Sequence, residues 1–193
     1  MRSLTSVCAI ALSLILPGCG EKIAQTEEGV GTGANWTAPG GSADESSYSR
    51  LEAITPGNVD KLGLAWSLDL PDEVTLEATP LAVDGMLYFS GSYARTYAVD
   101  ALSGKLKWVF DPKTWDRSPN RFTFGANRGV AYEDGRIFVA EMDGRVDALD
   151  AKTGKLLWSA DSIPPEHKLN NSTGAPRTMN GKVIIGNGGA EDL

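Results

Sequence analysis

One element is written twice in this chain. The string "AVDALSGKLKW" runs from Ala98 to Trp108, and "ALDAKTGKLLW" repeats it from Ala148 to Trp158. The likeness extends outward. "ATPLAVDGMLYFSGSYARTYAVDALSGKLKW" begins at Ala78, "NRGVAYEDGRIFVAEMDGRVDALDAKTGKLLW" at Asn127 and "GAPRTMNGKVIIGNGGA" at Gly174, so the turn glycines Gly85, Gly135 and Gly181 stand 50 and 46 residues apart. A period that long, built from short strands and tight turns, predicts an all-β fold of propeller blades. A blade apolar on both faces needs a neighbour on each side. Two complete repeats are present, preceded by the tail of one ("KLGLAWSLDL", Lys61 to Leu70, with Trp66 in the tryptophan position) and followed by the first half of another. A closed propeller takes roughly four to eight blades. The expectation is therefore an incomplete propeller over residues 48–193, the N-terminal part of a longer protein.

The turns fit that reading. Asp84-Gly85, Asp134-Gly135 and Asn180-Gly181 are pairs in which both residues tolerate positive φ, as a two-residue hairpin turn requires. In "DAKTGKLLW" Gly154 is expected in a left-handed conformation. Leu156 and Trp158, two apart, are expected on one face of their strand, with the tryptophan turned to a neighbouring blade.

Charge narrows the partners. Lys and Arg number 18 against 25 Asp and Glu, a net charge of −7 without a basic run. Such a field repels phosphate backbones, and nucleic acid is not an expected partner. At the N-terminus Arg2 precedes an apolar run from Val7 to Leu16, too short to span a bilayer and right for an export signal over residues 1–19. Cys19 follows "LPG" in the manner of a bacterial lipobox, though with an unusual proline, so the expectation is a periplasmic protein that is either attached to the membrane through a lipid on Cys19 or released by plain cleavage of the signal. Cys8 lies within the signal, so no internal disulfide is expected. Residues 20–47 read as a linker and arm, with Trp36 and Tyr48 as its anchors. His167, in "PPEHKLNN", reads as surface, and "GVGTG" near Gly29 lies in the linker, not after a strand.

The "DAxTGKxxW" turn resembles the tryptophan-docking motif of the quinoprotein, or PQQ-dependent, alcohol dehydrogenases, whose catalytic part is an eight-bladed propeller. The likeness runs from "NWTAPGGSADESSYSRLEAITPGNVDKLGLAW" through "EATPLAVDGMLYF", "NRGVAY" and "STGAP" to "GNGGAE". It implies pyrroloquinoline quinone (PQQ) and Ca²⁺ as cofactors, an alcohol or a sugar or polyol hydroxyl as substrate, and cytochrome c or a quinone as electron acceptor. Carried onto this sequence, it implies cofactor contacts at Glu77, Arg128 and Thr173, a low wall at Gly188, Gly189 and Ala190, and a metal ligand at Glu191. Calcium needs several hard oxygens, and the remaining ligands and the base lie in the family beyond residue 193, so no catalytic residue is assigned. An arginine leading into a buried strand also asks for an anionic partner on its own account.

One departure stands out. Many alcohol-oxidising members carry two adjacent cysteines where this chain has Phe122 and Thr123. That weakens methanol or ethanol as the substrate, and it leaves a rival reading, a lipid-anchored propeller that binds other proteins as an envelope scaffold.

Overall fold

A computed structural model describes residues 33–41, 45–117, 125–164, 166 and 170–188. Two four-stranded antiparallel sheets follow one another along the chain. The first holds β1 (Leu81–Val83), β2 (Met86–Ser90), β3 (Thr96–Asp100) and β4 (Leu106–Phe110); the second holds β5 (Ala131–Glu133), β6 (Arg136–Ala140), β7 (Arg145–Asp150) and β8 (Leu156–Asp161). A hairpin of β9 (Arg177–Met179) and β10 (Lys182–Ile184) opens the next unit. Strand order equals chain order in each sheet, the up-and-down connectivity of a propeller blade. A single helical turn, α1 (Thr114–Arg117), lies between β4 and β5.

The hairpin corners sit where the dipeptides put them. Asp84, Asp134 and Asn180 have φ of 50°, 49° and 53°, and the glycines after them 78°, 73° and 71°. Each closes a β-hairpin whose strand twist needs both residues left-handed.

The core is the space between sheets. Leu81, Val99, Val130, Ile137, Val139 and Leu149 are fully buried, with most of them in one cluster joining the first sheet to the second. Each such aliphatic side chain contributes roughly 1.5–3 kcal/mol of transfer free energy. A smaller cluster of Ala131, Phe138 and Ala148 faces Val183 of the hairpin.

Tryptophan fixes the order of the layers. The Trp108 indole N–H donates to the Ala151 carbonyl at 3.0 Å, and Trp66 does the same to Ala101 at 3.0 Å. The rings lie flat on Gly154 and Gly104, where an added Cβ would stand 2.6 and 2.5 Å from them, and both glycines have φ of +70°. Space and backbone conformation thus demand glycine together. The segment around Trp66 docks in this way while remaining extended and outside the sheets.

Two expectations are corrected. Leu156 and Trp158 do not share a face: Leu149 pairs with Leu156 but Ala148 with Trp158, a one-residue slip that also separates Leu106 from Trp108 in the first sheet. The bulge breaks the two-residue alternation and turns the tryptophan toward the following layer. In the arm, Trp36 does act as an anchor, exchanging backbone hydrogen bonds with Ala82 of β1 at 2.6 and 2.9 Å. Tyr48 does not, since it lies outside the sheets with its ring exposed. Among the described residues no helix is long and apolar enough to cross a membrane. The export signal, Cys8, Cys19, Gly29, Phe122, Thr123 and His167 lie outside the described residues.

Candidate functional site

Three residues from neighbouring positions of the repeat meet at one place. Glu77 lies four residues ahead of β1, Arg128 three ahead of β5 and Thr173 four ahead of β9, so each sits on the segment leading into the first strand of its unit. Stacked units bring such segments side by side. The Arg128 backbone N–H donates to the Thr173 carbonyl at 2.9 Å, its Nη1 donates to Thr173 Oγ1 at 2.5 Å, and its Nη2 lies 3.5 Å from Glu77 Oε2.

The approach of these segments depends on two neighbours of Arg128. Gly129, with φ of +133°, passes close to Ala175 and to the Thr79 carbonyl. Asn127 is buried; its carboxamide donates to the Ala140 carbonyl at 2.8 Å and accepts from Ser90 Oγ at 2.6 Å and from the Gly129 N–H at 3.2 Å. This residue ties both sheets to the root of Arg128. Sequence reasoning passed over it, although a carboxamide next to a strand-leading arginine was visible in "NRGVAY".

The anionic partner that the place of Arg128 before a strand asks for is Glu77, but the pair is open to water. The Arg128 side chain is 55% exposed and that of Glu77 41%. The guanidinium lies between Thr173 and Glu77, where water still reaches it. An ion pair this open contributes only about 0–1 kcal/mol to stability, so the cluster is not built to hold the fold together.

Gly188 is placed next to this group by backbone pairing with Asn171, with hydrogen bonds of 2.9 Å in both directions. Its α-carbon faces open space. Ser172 reinforces the pairing, donating to Asn187 Oδ1 at 2.5 Å. Gly189, Ala190 and Glu191 lie outside the described residues. Among the described residues no group of three His, Cys, Asp or Glu side chains could hold a metal ion.

Behind the rim each sheet buries a glutamate against an arginine at the start of its third strand. In the first sheet Glu73 enters from the segment that carries Glu77. Its carboxylate accepts from the Ser92 N–H, from Arg95 Nη1 at 3.0 Å and from the Tyr97 hydroxyl. Burial, followed by the bond to Glu73, pushes the Tyr97 phenol up to about 12, so it stays a donor. Ser92 Oγ accepts from Val74 N–H at 2.8 Å and Thr75 N–H at 3.0 Å, which fixes the same segment. In the second sheet Glu141 pairs with Arg145, and Thr114 of α1 donates to Glu141 Oε2 at 2.9 Å. Arg145 also reaches Asp143 at 2.9 Å and the Pro112 carbonyl at 3.1 Å. The arginines stood at matching places in the two repeats; their acidic partners did not.

Comparison with known proteins places the chain in a family. The family described as "PQQ: Glucose/ethanol/alcohol dehydrogenase, beta-propeller domain" matches residues 36–188. The 1-butanol dehydrogenase (cytochrome c) of Thauera butanivorans is 42% identical over 82% of this chain and 23% of its own length. The dehydrogenase subunit of the alcohol dehydrogenase (quinone) of Komagataeibacter europaeus is 43% identical over 89% of this chain and 24% of its own. The crystal structure of the quinohemoprotein alcohol dehydrogenase from Comamonas testosteroni superposes with a TM-score of 0.76 at 44% identity, covering 82% of this chain and 24% of that one. The chain thus spans about a quarter of the length of the relatives it matches.

Proposed function

The chain belongs to the PQQ glucose/ethanol/alcohol dehydrogenase β-propeller family, and from that premise we propose that the natural protein is a periplasmic, PQQ- and calcium-dependent dehydrogenase. It oxidises an alcohol, or a sugar or polyol hydroxyl, and passes the electrons to cytochrome c or a quinone. The observation that supports this most is the meeting of Glu77, Arg128 and Thr173, an exposed cation, carboxylate and hydroxyl with little structural use, on the rim of a chain with those relatives.

The donor set suits a tricarboxylated, planar ligand. Arg128 offers a fork of N–H groups to a carboxylate, Thr173 a hydroxyl that donates or accepts, and Glu77 an acceptor that also keeps the guanidinium in place. Gly188 leaves open space beside its backbone, and in this reading Gly189 and Ala190 continue the low wall. When bound, PQQ supplies the two-electron acceptor that protein side chains lack, and calcium the Lewis acid at its carbonyl. In this reading Glu191 gives the ion one carboxylate. Attachment to the membrane through Cys19 is part of the same proposal.

The test is reconstitution. The natural protein loaded with PQQ and Ca²⁺ is expected to reduce an artificial acceptor with alcohols, aldoses or polyols, and to lose that activity on chelation. Arg128→Ala is expected to weaken PQQ binding roughly ten- to hundredfold, the worth of a charge-assisted hydrogen bond, with thermal stability nearly unchanged. Protein that binds no PQQ and is inactive across all three substrate classes would leave the scaffold reading in its place.

A further inference from the structure

The second sheet holds more buried acid than its cations can match. Glu141, Asp143 and Asp147 all have side chains less than 10% exposed, gathered round Arg145, which is itself buried. Arg145 reaches Glu141, Asp143 at 2.9 Å and, less closely, Asp147 at 3.9 Å. From α1, Arg117 approaches only Asp143, at 3.8 Å, and Thr114 brings a hydroxyl to Glu141. Two guanidinium groups therefore face three carboxyls. Three buried oxygens, Glu141 Oε1 and both of Asp147, receive no hydrogen bond from any protein donor. Ionised carboxylates left so would each carry a large desolvation cost. The group does not have the arrangement of a metal site.

A single proton resolves the deficit of charge and of donors at once. We propose that Glu141 and Asp147 share one proton in the folded protein, and that this neutral–anionic pair is a pH-sensitive fastening for Thr114, the root of the segment that leads to Arg128. Glu141 Oε1 and the two Asp147 oxygens are the buried acceptors left without a donor and so the places for that proton, while Oε2 receives Arg145 and Thr114. Burial first, and the Asp147 carboxylate second, push the Glu141 carboxyl from the ordinary 4.5 up to about 9, opposed by Arg145. The folded form keeps its proton where the unfolded chain has lost it. Stability supplied by the pair is therefore complete at acid pH and is lost as pH rises through the interval between those two values. The inference does not depend on the cofactor reading.

Infrared difference spectra of the natural protein decide it. At pH 7 the wild type minus Glu141→Gln spectrum is expected to contain the carbonyl stretch of one protonated carboxylic acid, which disappears as pH is raised past about 9. Asp147→Asn is expected to lose the same band at a lower pH than wild type, because the Asp147 charge no longer opposes ionisation while burial still does. In urea unfolding the carboxamide introduced by E141Q stands in for the carboxyl hydroxyl, so this variant should match wild type at pH 6 and lose at least half of the fall in midpoint seen between pH 6 and 10. The fastening is read with 5-fluorotryptophan: the Trp115 resonance, assigned by W115F, should shift with the midpoint at which the band is lost, and stay still in E141Q. A wild-type spectrum at pH 7 with no band that E141Q removes overturns the shared proton. A Trp115 resonance that ignores the titration overturns the fastening.

Discussion

The two complete sheets solve one packing problem in opposite ways. Each places an arginine where its third strand begins, Arg95 directly before β3 and Arg145 as the first residue of β7, and each sets a glutamate beside it. In the first sheet the position matching Glu141 is Gly91, and the emptied space is taken by Glu73 from outside the sheet: a Cβ added at Gly91 would collide with its carboxylate. In the second sheet the strand fills the space with its own side chain. The partner two residues after the arginine differs to match. Tyr97 brings a hydroxyl donor to Glu73, while Asp147 brings a second carboxylate to Glu141. A carboxylate beside the arginine is thus common to both repeats, but only in the first does it capture an incoming segment, and only in the second does it require a proton.

The contrast can be broken most severely at the intruding glutamate. Glu73→Ala strips Arg95 and Tyr97 of their shared acceptor and frees the segment that carries Glu77, with an expected loss of about 3 kcal/mol in urea unfolding. Gly91→Ala, which adds only a methyl group, should reproduce most of that loss. E141Q at pH 7 should cost less than about 0.5 kcal/mol, because the amide keeps the donor that the pair needs. A large effect at Glu141 with none at Glu73 would reverse the comparison.

A second pair of substitutions sharpens what the sheets have in common. Gly154→Ala and Gly104→Ala each drive a Cβ into a tryptophan ring at a positive φ, and each should lower stability by about 3 kcal/mol. Gly135→Ala, at a similar φ of +73° with open space round it, should cost only about 1 kcal/mol. Unfolding curves for the three variants separate the steric part from the backbone part. Equal losses at Gly154 and Gly135 would mean that the tryptophan gives way.

The repeat, the hairpin corners, the left-handed Gly154 and the turn of the tryptophan toward a neighbouring layer were legible in the sequence because they recur at fixed offsets; that the indole lies on the next layer's glycine was not. Glu77, Arg128 and Thr173 came from the family resemblance, and the stacking of repeats brings the segments that carry them together; that Arg128 stays open to water was not legible, because strand periodicity says nothing about the residue ahead of a strand. Features that break the period were hidden. The slip opposite Ala148 and Leu149 moves Trp158 off the face of Leu156. Glu73 belongs to no repeat, and nothing in "GSYAR" says that its glycine is a socket. Asn127 and the Glu141–Asp147 pair are long-range polar contacts, and a string of letters does not give their distances.

The tryptophan docking carries a consequence for how the chain is made. Trp66 waits 35 residues for the carbonyl it binds, and Trp108 waits 43. Chain leaving the ribosome therefore presents a tryptophan before the glycine bed that receives it exists. Each layer stays provisional until its successor has been synthesised, so maturation runs in one direction, and a pause in translation just after a "KLKW" or "KLLW" would leave an indole open to chaperones or to aggregation.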